Sequence, residues 1–334
     1  MRIFITGATG FIGRTLVQRL AGTTHELRCL VRPTSRTAGL EGPRVEFVPG
    51  DLTNRDSLAE GMRGCQWVVN LANIYEFWHR DRRAFDAVNV EGTRNLLEAA
   101  CAAGAAKVVH VSTVAAYGDA SWPIDEQTPW GPHTPGDYAR TKRIGEDVAR
   151  AFRAEHGLPV VIVAPGGVMG PGDPKATNRL VRALTLGEMP ALVFPDRPFP
   201  FVHVHDVAEA IVRALEKPGH EGEKYILAAG NPTFGEIARM VSEISGTKLP
   251  RWTMPGPAAA AAAYLATAAA RLTGRPPAMD LAVEQVLMMK RGMRVDGSKA
   301  ARELGFVYTP IRTAVEEEVS EIQGAAGRVS HLEQ

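Results

Sequence analysis

The sequence is short of cysteine, of net charge and of long apolar runs, and each shortage removes a class of answer. Its three cysteines, Cys29, Cys65 and Cys101, are odd in number, scattered and set among apolar neighbours. They read as reduced core residues, with neither metal-ligand spacing nor a disulfide framework. Lys and Arg number 38 against 37 Asp and Glu, a formal charge of +1. So neutral a chain has no general affinity for polyanions, and nucleic acid is not an expected partner. The alanine tract Ala258–Ala263 lies in the most membrane-like stretch, which is too short and too alanine-rich to span a bilayer and ends at Arg271. No transmembrane segment is expected, while contact with a hydrophobic substrate or a membrane surface stays open. A strand starting at residue 2 leaves no room for a signal peptide, which predicts a cytoplasmic location.

What is present begins with that strand. Arg2 to Thr6 is a short apolar run suited to a fully buried parallel strand. Gly7, Gly10 and Gly13 follow at three-residue spacing, and an amphipathic pattern opens at once with Phe11, Ile12, Leu16, Val17 and Leu20. Strand, glycine turn and helix together present a helix N-terminus to a pyrophosphate. The length of 334 residues suits one large or two unequal domains.

Glu26 to Val31 reads as a second strand ending at Arg32, where a dinucleotide fold meets the adenine ribose. An acidic residue there suits a ribose hydroxyl and an arginine suits a 2′-phosphate. Arg32 and Arg36, with no carboxylate before Glu41, favour NADP(H) over NAD(H), which remains possible. Val45 to Pro49 is a third strand. Asp51, followed by Leu52, is read from the residues as a cap for a helix over Thr53–Gly61. Trp67 to Asn70 is the fourth strand, leading into Leu71, Ala72 and Asn73. The aromatic stretch Ile74–Asp81, with Tyr75, Phe77 and Trp78, is either a satellite hydrophobic cluster or the lining of a substrate pocket. A helix is expected over Asp81–Ala103, with Asn89 in its middle needing a partner for its amide.

Lys107 to Ser112 reads as a strand that delivers Ser112 and Thr113 to the carboxyl edge of the sheet, where ligands bind in open α/β folds. A helix from Tyr138 to His156 then carries Tyr138 and Lys142, which at i and i+4 share one face. A cation beside the phenol is expected to lower its pKa towards neutrality. Val160 to Ala164 is a further strand, leading to Pro165, Gly166 and Val168. Beyond it the α/β alternation breaks down, with a helix over Asn178–Gly187, a strand over Phe199–Val204 and Asp206 capping a helix over Val207–Leu215. Strand Lys224–Leu227 is followed by helices over Phe234–Ser245, Gly256–Leu272 and Met279–Met289. His203 and His205 alternate across their strand and read as structural, so no metal site is expected.

Thr6-Gly-Ala-Thr-Gly-Phe-Ile-Gly13, Asn89-Val-Glu-Gly-Thr93, Tyr138-x-x-x-Lys142 and the closing Asp296–Phe306 element together resemble the extended short-chain dehydrogenase/reductases over essentially the whole chain. The nearest look is to dihydroflavonol 4-reductase-like and 3β-hydroxysteroid dehydrogenase-like members. Val31–Ser35, Tyr75–Trp78, Gly170–Asp173 and Leu272–Pro277 are especially similar to a group called hopanoid-associated sugar epimerases.

The resemblance implies a doubly wound α/β Rossmann fold with a smaller, mostly helical C-terminal substrate domain. Residues 1–168 and a returning segment near 200–230 would bind the dinucleotide. Residues 169–199 and 231–325 would form the substrate domain, and 326–334 a loose tail. It also implies a catalytic Thr113, Tyr138 and Lys142, with dinucleotide contacts from Gly7, Thr9, Gly10, Phe11, Ile12 and Gly13. Further cofactor contacts would come from Arg32, Arg36, Asp51, Leu52, Leu71, Ala72, Asn73, Asn89, Ser112, Tyr138, Lys142, Pro165, Gly166 and Val168.

Val114-Ala115 stand where sugar dehydratases carry Asp-Glu, which disfavours that chemistry. Phe199 and Ala164 replace an arginine and an asparagine common in nucleotide-sugar epimerases, although Arg197 is near. A pocket with Tyr75, Phe77, Trp78, Thr113, Phe199 and Phe201 suits an apolar or aromatic carbonyl. The expected function is an NADP(H)-dependent oxidoreductase acting on a small molecule, with a homodimer by analogy. An NAD-dependent nucleotide-sugar epimerase and a non-catalytic NADP(H) sensor are the alternatives.

Overall fold

Seven short runs pair into one parallel sheet in the computed structural model, which describes residues 1–173, 176–277 and 282–332. They are β1 (Arg2–Thr6), β2 (Glu26–Val31), β3 (Val45–Pro49), β4 (Trp67–Asn70), β5 (Lys107–Val111), β6 (Val160–Pro165) and β10 (Lys224–Leu227). The order β10-β6-β5-β4-β1-β2-β3 reverses between β1 and β4, which opens the ligand-binding crevice of doubly wound folds at their carboxyl ends. The central strands are apolar on both faces because helices cover both. One face packs α1 (Phe11–Ala21) and α7 (Val204–Glu216) through Leu16, Val17, Leu20, Val207 and Ile211. The other packs α2 (Arg55–Met62), α4 (Gly92–Ala102) and α5 (Asp137–His156) through Leu58, Met62, Leu96, Leu97, Val148 and Phe152. Cys29 and Cys65 are buried in these two layers, and all three cysteines are free thiols.

A second, mostly helical layer follows β6. Here α6 (Ala176–Thr185), α8 (Phe234–Ser245) and α12 (Ile311–Leu332) enclose Met169, Phe199, Phe201, Ile237, Val241 and Val315. Beside it α9 (Gly256–Thr273) packs on α10 (Val283–Arg291) through Ala259, Ala263 and Val286. Two small parallel pairs, β7 (Gly167–Met169) with β9 (Phe201–His203) and β8 (Ala191–Val193) with β11 (Trp252–Met254), stitch this layer together.

Several local expectations are corrected. The helix over Asp81–Ala103 is broken into α3 (Arg83–Phe85), a π-helical turn Asp86–Glu91 and α4. The wide turn sits at Asn89, whose amide needs room to leave the helix. Asp51 does not cap α2; Asn54 does, accepting from the Ser57 N–H at 3.0 Å, while Asp51 closes a turn with Thr53. Nor does Asp206 cap a helix. His203 caps α7, and Asp206 accepts from both the N–H and the hydroxyl of Thr309 at 2.8 Å, tying down the closing segment. His203 also bonds Glu317 at 2.9 Å and packs edge-on against His205. The tail expected to be loose from 326 continues α12 to Leu332. Residues 279–281 of the expected Met279–Met289 helix lie outside the described residues, and α10 runs from Val283.

Candidate active site

The carboxyl ends of β1, β4 and β5 carry one polar residue each in the same register row, Thr6, Asn70 and His110. Thr6 donates to Asn70 at 2.9 Å and accepts from the Ala72 N–H, while the Asn70 amide meets the His110 ring at 3.2 Å. This buried row fixes where the chain leaves the sheet on either side of the crevice. Burial holds His110 well below the ordinary histidine pKa, so it is neutral at pH 7. The row was not legible in the sequence, because only strand register aligns three residues so far apart.

At the crevice the glycines are sterically required. Gly7 has φ +72°, and a Cβ there would lie 2.7 Å from the Ala72 backbone nitrogen. A Cβ on Gly13 would fall 2.1 Å from the Gly7 carbonyl oxygen. The result is a tight cradle formed by Gly7, Ala8, Thr9 and Gly10 against Leu71–Asn73. Helix α1 starts after Gly10 with no side-chain cap and no acidic residue in its first turn, so its leading N–H groups are left for an anion. Phe11 and Ile12 are half-buried behind them. The cradle and the free helix end fit a dinucleotide pyrophosphate.

Past β2, Arg32 and Arg36 are exposed and have no ion-pair partner among the described residues. Arg14 of α1 shapes their loop by donating to the carbonyl oxygens of Ala38 and Arg36. Leu52 is buried against α4, where a Cβ on Gly92 would meet it at 2.9 Å.

Asn89 is a brace. Its amide oxygen accepts from the Ile74 N–H at 2.8 Å, and its nitrogen donates to the Ile74 carbonyl and, at 3.0 Å, to the Thr141 hydroxyl. It therefore ties the loop after β4 to α5. A Cβ on Gly145 would sit 2.7 Å from the Asn89 carbonyl, so the two helices approach backbone to backbone.

Thr113 follows β5 in extended backbone and caps a short 3₁₀ turn, Val114–Tyr117, by accepting from the Ala115 N–H at 3.2 Å. Its hydroxyl also lies near enough to the phenol of Tyr138, which α5 places opposite, to oppose a rise in that phenol's pKa. One turn on, Lys142 is buried and donates from Nζ to the Val111 carbonyl at 2.6 Å. Behind it, buried Glu146 pairs with Lys224 of β10 at 2.8 Å, and Ser112 lies alongside. Burial pushes the Tyr138 phenol up to about 12, against the opposing pull of the Thr113 hydroxyl, and pushes the Lys142 ammonium down to about 8. The expectation that Lys142 draws the phenol towards neutrality is therefore corrected. Burial dominates the phenol, and the ammonium is turned to a strand carbonyl.

The start of α5 has a cap that no local pattern announces. Gly136 leaves its N-cap without a side chain, and Glu284 of α10 accepts from the Asp137 N–H at 3.0 Å. A Cβ on Gly136 would overlap that carboxylate. Arg82 bridges to Asp137 and Arg140 to Asp86, fixing the same turn.

The aromatic stretch after β4 meets the site. The Tyr75 ring lies 5.0 Å edge-on from the Tyr138 ring, and Phe77 lies 6.4 Å from it. Met288 of α10 packs with them. Trp78 is half-buried and makes no recorded ring contact among the described residues. Phe199 and Phe201 do not join this group. They are buried with Phe234 in the helical layer, under Gly167. The loop carrying Pro165, Gly166 and Val168 is held to the returning segment by Gly166 N–H to Leu227 and Gly167 N–H to Pro200 bonds.

Comparison with known proteins places this arrangement. Residues 3–228 match the model of the NAD dependent epimerase/dehydratase family. The chain is 33% identical to sterol demethylase protein B of Methylococcus capsulatus over 327 residues, covering 96% of this chain and 98% of that one. It is 30% identical to the 4-hydroxy-2-methyl-3-oxo-4-farnesyl-3,4-dihydroquinoline-1-oxide ketoreductase of Stigmatella aurantiaca, over 92% of each chain. The crystal structure of gox2253 superposes with a TM-score of 0.81 at 35% identity, covering 97% of this chain and 98% of that one. The Rossmann sheet, its glycine cradle and these matches make the chain a member of the NAD-dependent epimerase/dehydratase family, nicotinamide-dinucleotide proteins of the extended short-chain dehydrogenase/reductase superfamily.

Proposed function

We propose that the protein is an NADP(H)-dependent oxidoreductase that interconverts a ketone or aldehyde with an alcohol on a small apolar or aromatic substrate. The observation that carries this reading is the packing of Tyr75, Phe77 and Met288 around Tyr138, which gives the proton donor an apolar, aromatic-walled surround. The relatives' names point the same way, one to a sterol and one to a farnesyl-bearing ketone. Within this reading residues 1–168, with the returning strand, hold the dinucleotide and the C-terminal layer holds the substrate.

Thr113 and Tyr138 both donate to the carbonyl oxygen, and Tyr138 gives up its proton as that oxygen becomes a hydroxyl. A phenol pushed up to about 12 keeps its proton at neutral pH, which suits an acid in carbonyl reduction. Lys142, pushed down to about 8, is still cationic at pH 7, and its bond to the Val111 carbonyl fixes the strand end from which Thr113 follows. With the dinucleotide bound, its ammonium would also hydrogen-bond the nicotinamide ribose. When bound, NADPH supplies the hydride that the carbonyl carbon accepts. Gly7, Thr9, Gly10 and Gly13 would hold the pyrophosphate, and Arg32 with Arg36 would take the 2′-phosphate. Ala72, Asn73, Pro165, Gly166 and Val168 would contact the remainder.

The test is to denature freshly purified protein and identify any released nucleotide. Empty protein that binds NADPH more tightly than NADH supports a reductase that exchanges cofactor at every turnover. Stoichiometric NAD or NADH supports a nucleotide-sugar epimerase, which must regenerate its cofactor in place, and overturns the reading of Arg32.

A further inference from the structure

We propose that the outer face of α9 docks on an anionic lipid bilayer. At about 100° per residue, Ala258, Ala261, Ala262, Leu265, Ala269 and Leu272 fall within one arc of roughly 100°. All six are exposed, while the opposite side of the helix is buried on α10 through Ala259 and Ala263. The alanines only keep this face smooth. The driving contacts are Leu265 and Leu272, which are 73% and 89% exposed. Such a concentration of large apolar side chains on one otherwise unused face marks an interaction surface.

Charge selects the occupant. From Lys248 to Pro277 the chain contains Lys248, Arg251, Arg271 and Arg275 and no acidic residue. All four cations are exposed and have no ion-pair partner among the described residues, whereas Arg55, Arg140, Arg213 and Arg312 are paired. Tyr264 lies on the flank of the apolar arc beside Arg271, so an aromatic and a cation border the buried edge, as at a membrane–water interface. Unpaired cations on α9 and in the segments that flank it in sequence, next to an apolar stripe, match lipid phosphates next to acyl chains. Among the described residues no helix is long and apolar enough to cross a membrane, so the helix lies on the bilayer. The surface stands apart from the proposed chemistry. It nevertheless places α10, which carries Met288 and Glu284 to Tyr138 and α5, one helix away from the lipid.

The test is co-sedimentation of the full chain with vesicles of phosphatidylcholine containing about a quarter phosphatidylglycerol, against pure phosphatidylcholine. The expected result is binding to the anionic vesicles that falls roughly tenfold in L265E/L272E and is lost to comparable extent in R251Q/R271Q/R275Q. Both variants change exposed side chains only, and unchanged melting temperature and turnover of a water-soluble carbonyl compound verify that the fold and the active site are intact. No binding of the wild type to anionic vesicles overturns the proposal, as does equal binding by L265E/L272E. Conversion of a lipid-free dimer to a monomer by L265E/L272E also overturns it, assigning the face to a second copy of the chain.

Discussion

Replacing Glu318 with Gln is predicted to stabilise the fold at alkaline pH and to change little in acid. Glu318 lies on α12 with no exposed surface. One carboxylate oxygen accepts from the Gly170 N–H at 2.7 Å, and the other has no partner among the described residues. Burial pushes the carboxyl up to about 8, the Gly170 bond opposes this, and nearby Asp173 and Glu321 add to it. Its ordinary value is 4.5, so between the two values the folded protein keeps a proton that the unfolded chain has released. The stability this group contributes is complete below about 4.5, declines as pH rises through the window and levels off above about 8. Between pH 5 and pH 9 that amounts to about 4 kcal/mol at most, and to about 2 kcal/mol if the site relaxes or admits water. Gln keeps the acceptor for Gly170 and cannot ionise. Urea denaturation of both proteins at about pH 5, 7 and 9 should therefore show the variant gaining about 2–4 kcal/mol on the wild type across the range. A difference that stays constant with pH would refute the reasoning. The residue matters to the site because it anchors the Gly170–Asp173 loop, whose Asp173 carboxylate lies near enough to help hold the Tyr75 phenol protonated.

Two further predictions concern the cofactor cradle. Gly13→Ala places its methyl group against the Gly7 carbonyl and the Ala8 backbone, neither of which is a flexible side chain, so a loss of about 2–4 kcal/mol is expected together with weakened dinucleotide binding. Thermal melting and fluorescence titration read both, and a variant that melts and binds like wild type would remove the steric argument. Arg32→Ala should weaken NADPH at least about tenfold and leave NADH within about twofold; equal loss for the two cofactors would show that Arg32 does not read the 2′-phosphate.

Much of the dinucleotide half was legible because its signals are local. Short, largely apolar runs became β1, β2, β3 and β4 with the expected limits, and the three-residue glycine spacing became the cradle. The Tyr138–Lys142 pair was legible as helical spacing, since α5 puts both on its buried face. What depends on pairing across the chain was not. Glu284 caps α5 from 147 residues away, and nothing near either residue marks the partnership. The Thr6–Asn70–His110 row exists only through register. Composition favoured a pocket role for Phe199 and Phe201 because they are aromatic, but the same property buries them with Phe234 as core. Tyr75 and Phe77 were equally aromatic and did reach Tyr138, a difference decided by where Asn89 holds the loop. Asn89 itself announced a need for partners, and the π-helical turn shows how that need was met.

The most direct test of the central claim is single-turnover oxidation of NADPH by wild type and Tyr138→Phe, using the best carbonyl substrate from an apolar panel. The account predicts that Tyr138→Phe binds NADPH within about threefold of wild type and slows turnover about a thousandfold, because only the transferable proton is removed. Turnover by Tyr138→Phe at the wild-type rate would contradict the account.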